Sequence, residues 1–217
     1  MIIQRLIVLT LLLSTIVVSG CSPRYSTVLS RYEQAPVCCQ SIKDFRFEPI
    51  KHGDSIKFDL DQEAPAFVFD TGKSFFKAFT MPDFTEQYSI YIHSYLLGDY
   101  IDHSHIFIPQ LVFLNDNYEV TRISKASTYK VKKTALSETL GLRFKVEGHI
   151  DISHKNKDEK YFIVRTTNAL IKSRTQVSIM HTVPIMIIPG SIIPLPSGEK
   201  DVLIPNSPFG KLKIDLN

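Results

Sequence analysis

The chain has 217 residues, with 25 Lys and Arg against 22 Asp and Glu, a net charge of +3 with histidine neutral, and no tryptophan. Beyond the short cluster Lys130, Lys132 and Lys133 there is no basic block, so the clustered basic face that nucleic acid requires is missing and that partner is set aside. The length past the N-terminal segment suits one domain with its own core.

Residues 1–20, MIIQRLIVLTLLLSTIVVSG, run from one early cation, Arg5, through the apolar Leu6–Leu13 to small residues, the three regions of a secretory leader. The apolar stretch to Val18 is about 13 residues, short of the roughly 20 that cross a bilayer. Val18-Ser19-Gly20-Cys21 resembles the bacterial lipobox, which predicts cleavage before Cys21 and its acylation, including an amide-linked chain such as palmitate. Several acyl chains suffice for stable anchoring where one does not. Ser22 in place of Asp after the cysteine points to the periplasmic side of the outer membrane. The expected organisation is a leader over 1–20, a lipid-anchored, turn-rich tether over 21–37, and one domain over 38–217.

That domain is dominated by period-two patterns and by aromatic and β-branched residues, as strands demand. Ile56, Phe58 and Leu60 alternate with Lys57 and Asp59, and SFFKAF follows at Ser74–Phe79. In YSIYIHSY, Tyr88, Ile90 and Ile92 alternate with Ser89, Tyr91, His93 and Tyr95. HIFIPQLVFL (His105–Leu114) and YEVTRI (Tyr118–Ile123) flank Asn115-Asp116-Asn117, residue types that favour a tight turn. LRFKVEGHI (Leu142–Ile150) and YFIVRTT (Tyr161–Thr167) enclose the solvated loop Asp151–Lys160. Short helical turns are expected only at Thr134–Leu140 and Thr167–Ser173. Many short strands with regular turns predict an all-β chain, a single antiparallel β-sandwich or jelly-roll-like domain. In VPIMIIPGSIIPLP, Val183–Pro196, prolines punctuate an apolar run. Proline withdraws a backbone donor, so this is expected to be an extended segment lying over the sandwich, or, if exposed, a partner surface.

Catalytic constellations are absent from the pattern. His103 and His105 fall on one face of a strand, and His93 could join them as a third zinc ligand, but no acid–base carboxylate accompanies them and no cofactor is expected. Thr71-Gly72-Lys73-Ser74 lacks the earlier glycine of a phosphate loop, since position 67 is Phe67. The alternating Tyr91, His93 and Tyr95, rings interleaved with hydrogen bonders, form a candidate glycan-binding surface. Packing against a second layer explains the same residues.

Four segments in order carry a family resemblance: CCQSIKDFRFEPI (38–50), GDSIKFDLDQEAPAFVFDTGKSFFKAFTMP (53–82), IFIPQLVFLNDNYEVTR (106–122) and PNSPFGKLKI (205–214). Together they resemble the maltose operon periplasmic protein family. Ala64 stands where that family usually has serine, and Val183–Pro196 departs from its pattern. The resemblance implies an exported, non-enzymatic envelope protein associated with maltodextrin uptake, as an accessory or glycan-binding module. The alternative is a structural lipoprotein that contacts a porin or another envelope protein.

With Cys21 given to lipid, Cys38 and Cys39 have no other cysteine in the chain to pair with. A bond between neighbours, bonds to other chains, and two free thiols remain. An oxidising envelope disfavours persistent thiols, so a vicinal disulfide is the expectation, although adjacent Cα atoms lie closer than ordinary disulfides prefer.

Overall fold

A computed structural model describes residues 24–98, 103–125, 128–134, 143–188 and 191–217. The leader, Cys21 and nearly all of the expected helical turn at Thr134–Leu140 lie outside the described residues.

In chain order the elements are α1 (Tyr25–Gln34), β1 (Phe47–Pro49), β2 (Ser55–Leu60), β3 (Ala66–Phe69), β4 (Gly72–Phe75), β5 (Lys77–Thr80) and β6 (Tyr88–Tyr95). Then come β7 (Gln110–Leu114), β8 (Val120–Ile123), β9 (Tyr129–Thr134), β10 (Arg143–Ile152) and β11 (Tyr161–Arg165). The chain ends with α2 (Asn168–Ile171), β12 (Arg174–Ile188), β13 (Ser191–Pro205) and β14 (Gly210–Leu216).

Two five-stranded sheets, β1-β5-β11-β7-β8 and β2-β14-β6-β10-β9, make the sandwich, so the all-β expectation holds. All pairings within them are antiparallel except β1 with β5. Their inner faces share one core: Phe79, Phe113 and Phe162 from the first sheet meet Ile90, Ile92, Ile150 and Ile214 from the second. Strand β6 shows why these residues form strands. Its burial alternates along its whole length, Tyr88, Ile90 and Ile92 going inward and Tyr91, His93 and Tyr95 outward, as a half-solvated sheet requires. Gly148 is where β10 meets the Tyr129 ring: a Cβ there would come within 2.4 Å of it, so no other residue fits without displacing the ring.

The first sheet is covered on its outer side as well. The hairpin β3–β4 and the turn Ile42–Asp44 bring Phe45, Phe69 and Phe76 over Ala78, Val112, Leu114 and Ile163. Phe45 stacks on Phe76 with centroids 4.0 Å apart. The run SFFKAF breaks into two strands, β4 pairing with β3 and β5 with β1 and β11, with Phe75 in the inner core and Phe76 in the outer layer. A similar shortening affects HIFIPQLVFL, where the strand begins only after Pro109, which has no N–H to give a ladder. The turn at Asn115–Asn117 forms as expected, with the Asn115 side chain accepting from the backbone N–H of Asn117 and Glu119.

Two expectations need correction. The tether contains α1, which packs on the domain through Val28 and Tyr32, both buried. Its apolar positions Tyr25, Val28, Leu29 and Tyr32 follow helical spacing, and Pro36 follows its end, where a helix cannot continue. Val183–Pro196 is not a single extended segment but part of both strands of a long ribbon, β12–β13, which form a two-stranded sheet of their own. At the base of the ribbon, Val177 and Ile204 pack with Ile106, Ile108, Phe144 and Val146 and close one end of the sandwich.

Candidate functional site

The structure places Tyr91, His93 and Tyr95 together on the outward face of the second sheet, partly exposed. The face is ionic. Cross-strand pairing sets His93 between Glu147 of β10 and Lys213 of β14. The imidazole lies 3.3 Å from the Glu147 carboxylate at Nδ1 and 3.2 Å from Asp215 at Nε2. Lys145 is 3.2 Å from Nδ1. Burial, then the Lys145 charge, holds the His93 pKa below its ordinary value. Hydrogen bonds from Lys132 and then Lys145 pull the Glu147 carboxyl down to about 2. Tyr91 is stacked on His149, with centroids 4.5 Å apart and planes 6° from parallel. One ring face of Tyr91 is thus occupied by a neighbour, and the strand presents a charged lattice rather than an open aromatic platform.

A concave site lies elsewhere. A cleft of about 450 Å³ opens between α1, α2 and the root of the ribbon, lined among others by Tyr25, Tyr32, Glu33, Asn168, Lys172 and Arg174. A second cleft of about 330 Å³ adjoins it and shares Tyr25, Arg174 and Pro205, with His103 on its wall. These volumes fall in the range of small-ligand sites. The rings are fixed by their hydroxyls. Tyr25 donates to the Asn206 carbonyl at 2.8 Å, and Tyr32 donates to the Lys73 carbonyl and to Oδ1 of Asn168, the latter at 2.9 Å. Burial pushes the Tyr32 phenol up to about 12, so it stays a neutral donor. Lys73, from the failed phosphate-loop motif, donates from Nζ to the Glu33 and Ala35 carbonyls. It therefore caps the C-terminus of α1, whose last carbonyls have no partner within the helix. Gly72 at φ +104 lets the chain turn there, with the Asn168 side chain filling the space a Cβ would need.

The three histidines do not assemble. His93 is held in its ionic row, His103 is exposed beside the second cleft, and His105 is buried with its ring 5.8 Å from that of Tyr25. Among the described residues no group of three or more His, Cys, Asp or Glu side chains is placed to hold a metal ion. Cys38 and Cys39 are bonded to each other. The backbone N–H of Cys38 donates to the Ala66 carbonyl at 2.9 Å, tying the pair to the start of β3. Cys39 packs on the outer aromatic layer.

Sequence reasoning missed the cleft because its residues come from three separated segments. The helical spacing of Tyr25, Val28, Leu29 and Tyr32 was the available signal for one wall; nothing in the sequence brings Asn168 or Arg174 to it.

The model of the maltose operon periplasmic protein precursor (MalM) family matches residues 71–216. The chain belongs to the maltose operon periplasmic protein family. The match begins at the turn before β4 and runs through the ribbon to the end of β14, so Val183–Pro196 lies inside the family span. The cysteine pair, α1 and β1 to β3 precede it. Membership makes this a periplasmic protein. No curated protein and no solved structure matches the chain.

Proposed function

We propose that this family member is a non-enzymatic lipoprotein, anchored through Cys21 to the periplasmic side of the outer membrane, that binds a maltodextrin during its uptake. The family match carries this reading, and the cleft between α1 and the ribbon root supplies the place. A sugar site needs ring faces for the apolar side of a pyranose and donors and acceptors for its hydroxyls. Tyr25, only partly buried, provides a ring; Glu33, Asn168, Lys172 and Arg174 provide hydrogen-bonding groups of both kinds. All of these groups suit recognition, and the catalytic role is left to other proteins of the uptake system.

Calorimetric titration of the purified mature protein with maltotriose and maltohexaose tests this. Binding heat is expected, with affinity falling about tenfold in Arg174→Ala, the loss of about 1.4 kcal/mol that one charged hydrogen bond represents. Silence at millimolar ligand would sink the sugar reading.

A further inference from the structure

The outer half of the ribbon differs from everything else in the molecule. A register shift between His181 and Thr182 divides β12–β13 in two. Toward the root lie Arg174, His181, Glu199, Lys200 and Asp201; beyond the shift, Thr182–Ile188 paired with Ser191–Pro196 contains no charged residue. Residues of a strand alternate between its two faces. Here both alternating sets are apolar, Val183 and Ile185 in one and Pro184 and Met186 in the other, up to a second register shift between Met186 and Ile188. A ribbon leaning on the sandwich would keep one polar face for water. Segregation runs instead along the ribbon, polar at the root and apolar at the end, which suits end-on entry into an apolar medium.

The prolines sharpen this. Pro184 pairs with Pro194, and Thr182 with Pro196. Proline has no N–H, so these are the non-hydrogen-bonded pairs of the ladder, whose backbone groups face outward from the ribbon. Of the outward-facing positions Thr182, Pro184, Met186, Ile192, Pro194 and Pro196, the three prolines offer no donor and only Thr182, Met186 and Ile192 keep one. Two effects follow. Another strand cannot add regularly to either edge, and the cost of placing bare edges in hydrocarbon, the usual bar to an open ribbon, is reduced.

The tether ends beside the ribbon root. Tyr25, at the start of α1, is hydrogen-bonded to Asn206 and shares both clefts with Arg174 and Pro205, the two residues where the ribbon begins and ends. Cys21 precedes Tyr25 by four residues, at most about 14 Å of extended chain, so an acylated Cys21 holds the root close to a bilayer surface. The ribbon is about 50 Å long and its apolar half about 23 Å. The apolar half starts about 27 Å from a root held within about 14 Å of the anchor. The ribbon therefore enters tip first at a slant, which keeps that half within one leaflet of a hydrocarbon layer about 30 Å thick.

We infer that the apolar half of the ribbon, Thr182–Ile188 with Ser191–Pro196, inserts into the acyl region of the leaflet that carries the lipid anchor and gives the protein a second membrane attachment. The placement of the root rests on the lipoprotein reading, but the two are measured separately. The chain has no tryptophan, so Ile185→Trp and Ile193→Trp in the full-length gene each place a single reporter in the ribbon, and Ile123→Trp places one on the exposed edge of the sandwich. The mature proteins are mixed with phosphatidylethanolamine–phosphatidylglycerol vesicles, with and without brominated acyl chains. Both ribbon reporters should shift to shorter wavelength and be quenched severalfold more than the Ile123→Trp control. Intact mass reports whether Cys21 is acylated. Acylated protein that floats with vesicles while its ribbon reporters stay unquenched overturns the insertion and leaves the anchor. Quenching without acyl mass upholds insertion and removes the anchor. Reporters that become shielded only when envelope proteins are added show a protein occupant instead and overturn the lipid assignment.

Discussion

Two rows of residues cross the two sheets at equivalent places and could hardly differ more. Across the second sheet the outward row is Lys57, Lys213, His93, Glu147 and Lys130; across the first it is Phe47, Ala78, Ile163, Val112 and Ile123. Both sheets present their other face to the same core. The first row is what water dictates for a free sheet face, and the second, from Phe47 to Val112, requires a further layer, which Phe45, Phe69 and Phe76 supply, while Ile123 at the edge stays exposed. The hairpin β3–β4 and the segment before β1 are therefore structural parts of the domain, although β3 and that segment precede the span that defines the family.

The largest expected effect breaks the covered side. Phe76 is 2% exposed and stacked on Phe45, so Phe76→Ala should cost about 3–5 kcal/mol, read from the midpoint of urea unfolding. Lys57→Ala, in the charged row, should change stability by less than about 0.5 kcal/mol. Equal losses would show that the two faces are not different in kind.

A smaller effect lies at the border of the apolar sheet. Arg122 on β8 makes a two-pronged contact with Glu159, at 3.0 and 2.7 Å, while its guanidinium lies 4.2 Å from the centre of the Phe113 ring. The Glu159 side chain is almost fully buried and Arg122 only partly. Removing the cation strands a buried carboxylate, so Arg122→Ala should cost about 2 kcal/mol, below the 3–5 of a fully buried pair. Adding Glu159→Gln should return much of it. A double variant as unstable as the sum of its singles would refute the pairing argument.

The comparison also explains what could be read without coordinates. The inner faces were legible because Tyr88, Ile90 and Ile92 alternate with polar residues, and one buried face suffices to announce a strand. In the first sheet the alternation is weaker, because QLVFL and YFIVR are buried on both sides, and Phe75-Phe76 carries no sign of which layer each ring joins. Tyr91, His93 and Tyr95 were placed on one face correctly, yet their neighbours Glu147, Lys145 and Asp215 come from other strands, so the ionic character of the site was invisible. The cleft was hidden for the same reason, its walls being joined by packing between distant segments. The ribbon was hidden differently: prolines argued against a paired strand, and only the register shows them at positions where no ladder bond is lost.

The finest test concerns Glu147 and sharpens the charged side of the comparison. Hydrogen bonds from Lys132 and Lys145 lower its pKa to about 2 in the folded protein, against an ordinary value of about 4.3 in the unfolded chain. A carboxyl depressed on folding contributes stability above its unfolded pKa and loses that contribution as pH falls through the folded one. The window is therefore about pH 4.3 down to 2. Lys132 is half exposed, so solvent screening keeps the effect small. Glu147→Gln should melt slightly below the parent protein at pH 6, and the gap should close as both are titrated to pH 2, since the protonated parent has lost the same interaction. Added salt should narrow the gap at pH 6, because these charges lie near water. A gap that stays constant from pH 6 to 2 would assign the loss to packing of the side chain against Lys130 and His93 rather than to its charge. The second sheet would then resemble the first more than its ionic row suggests.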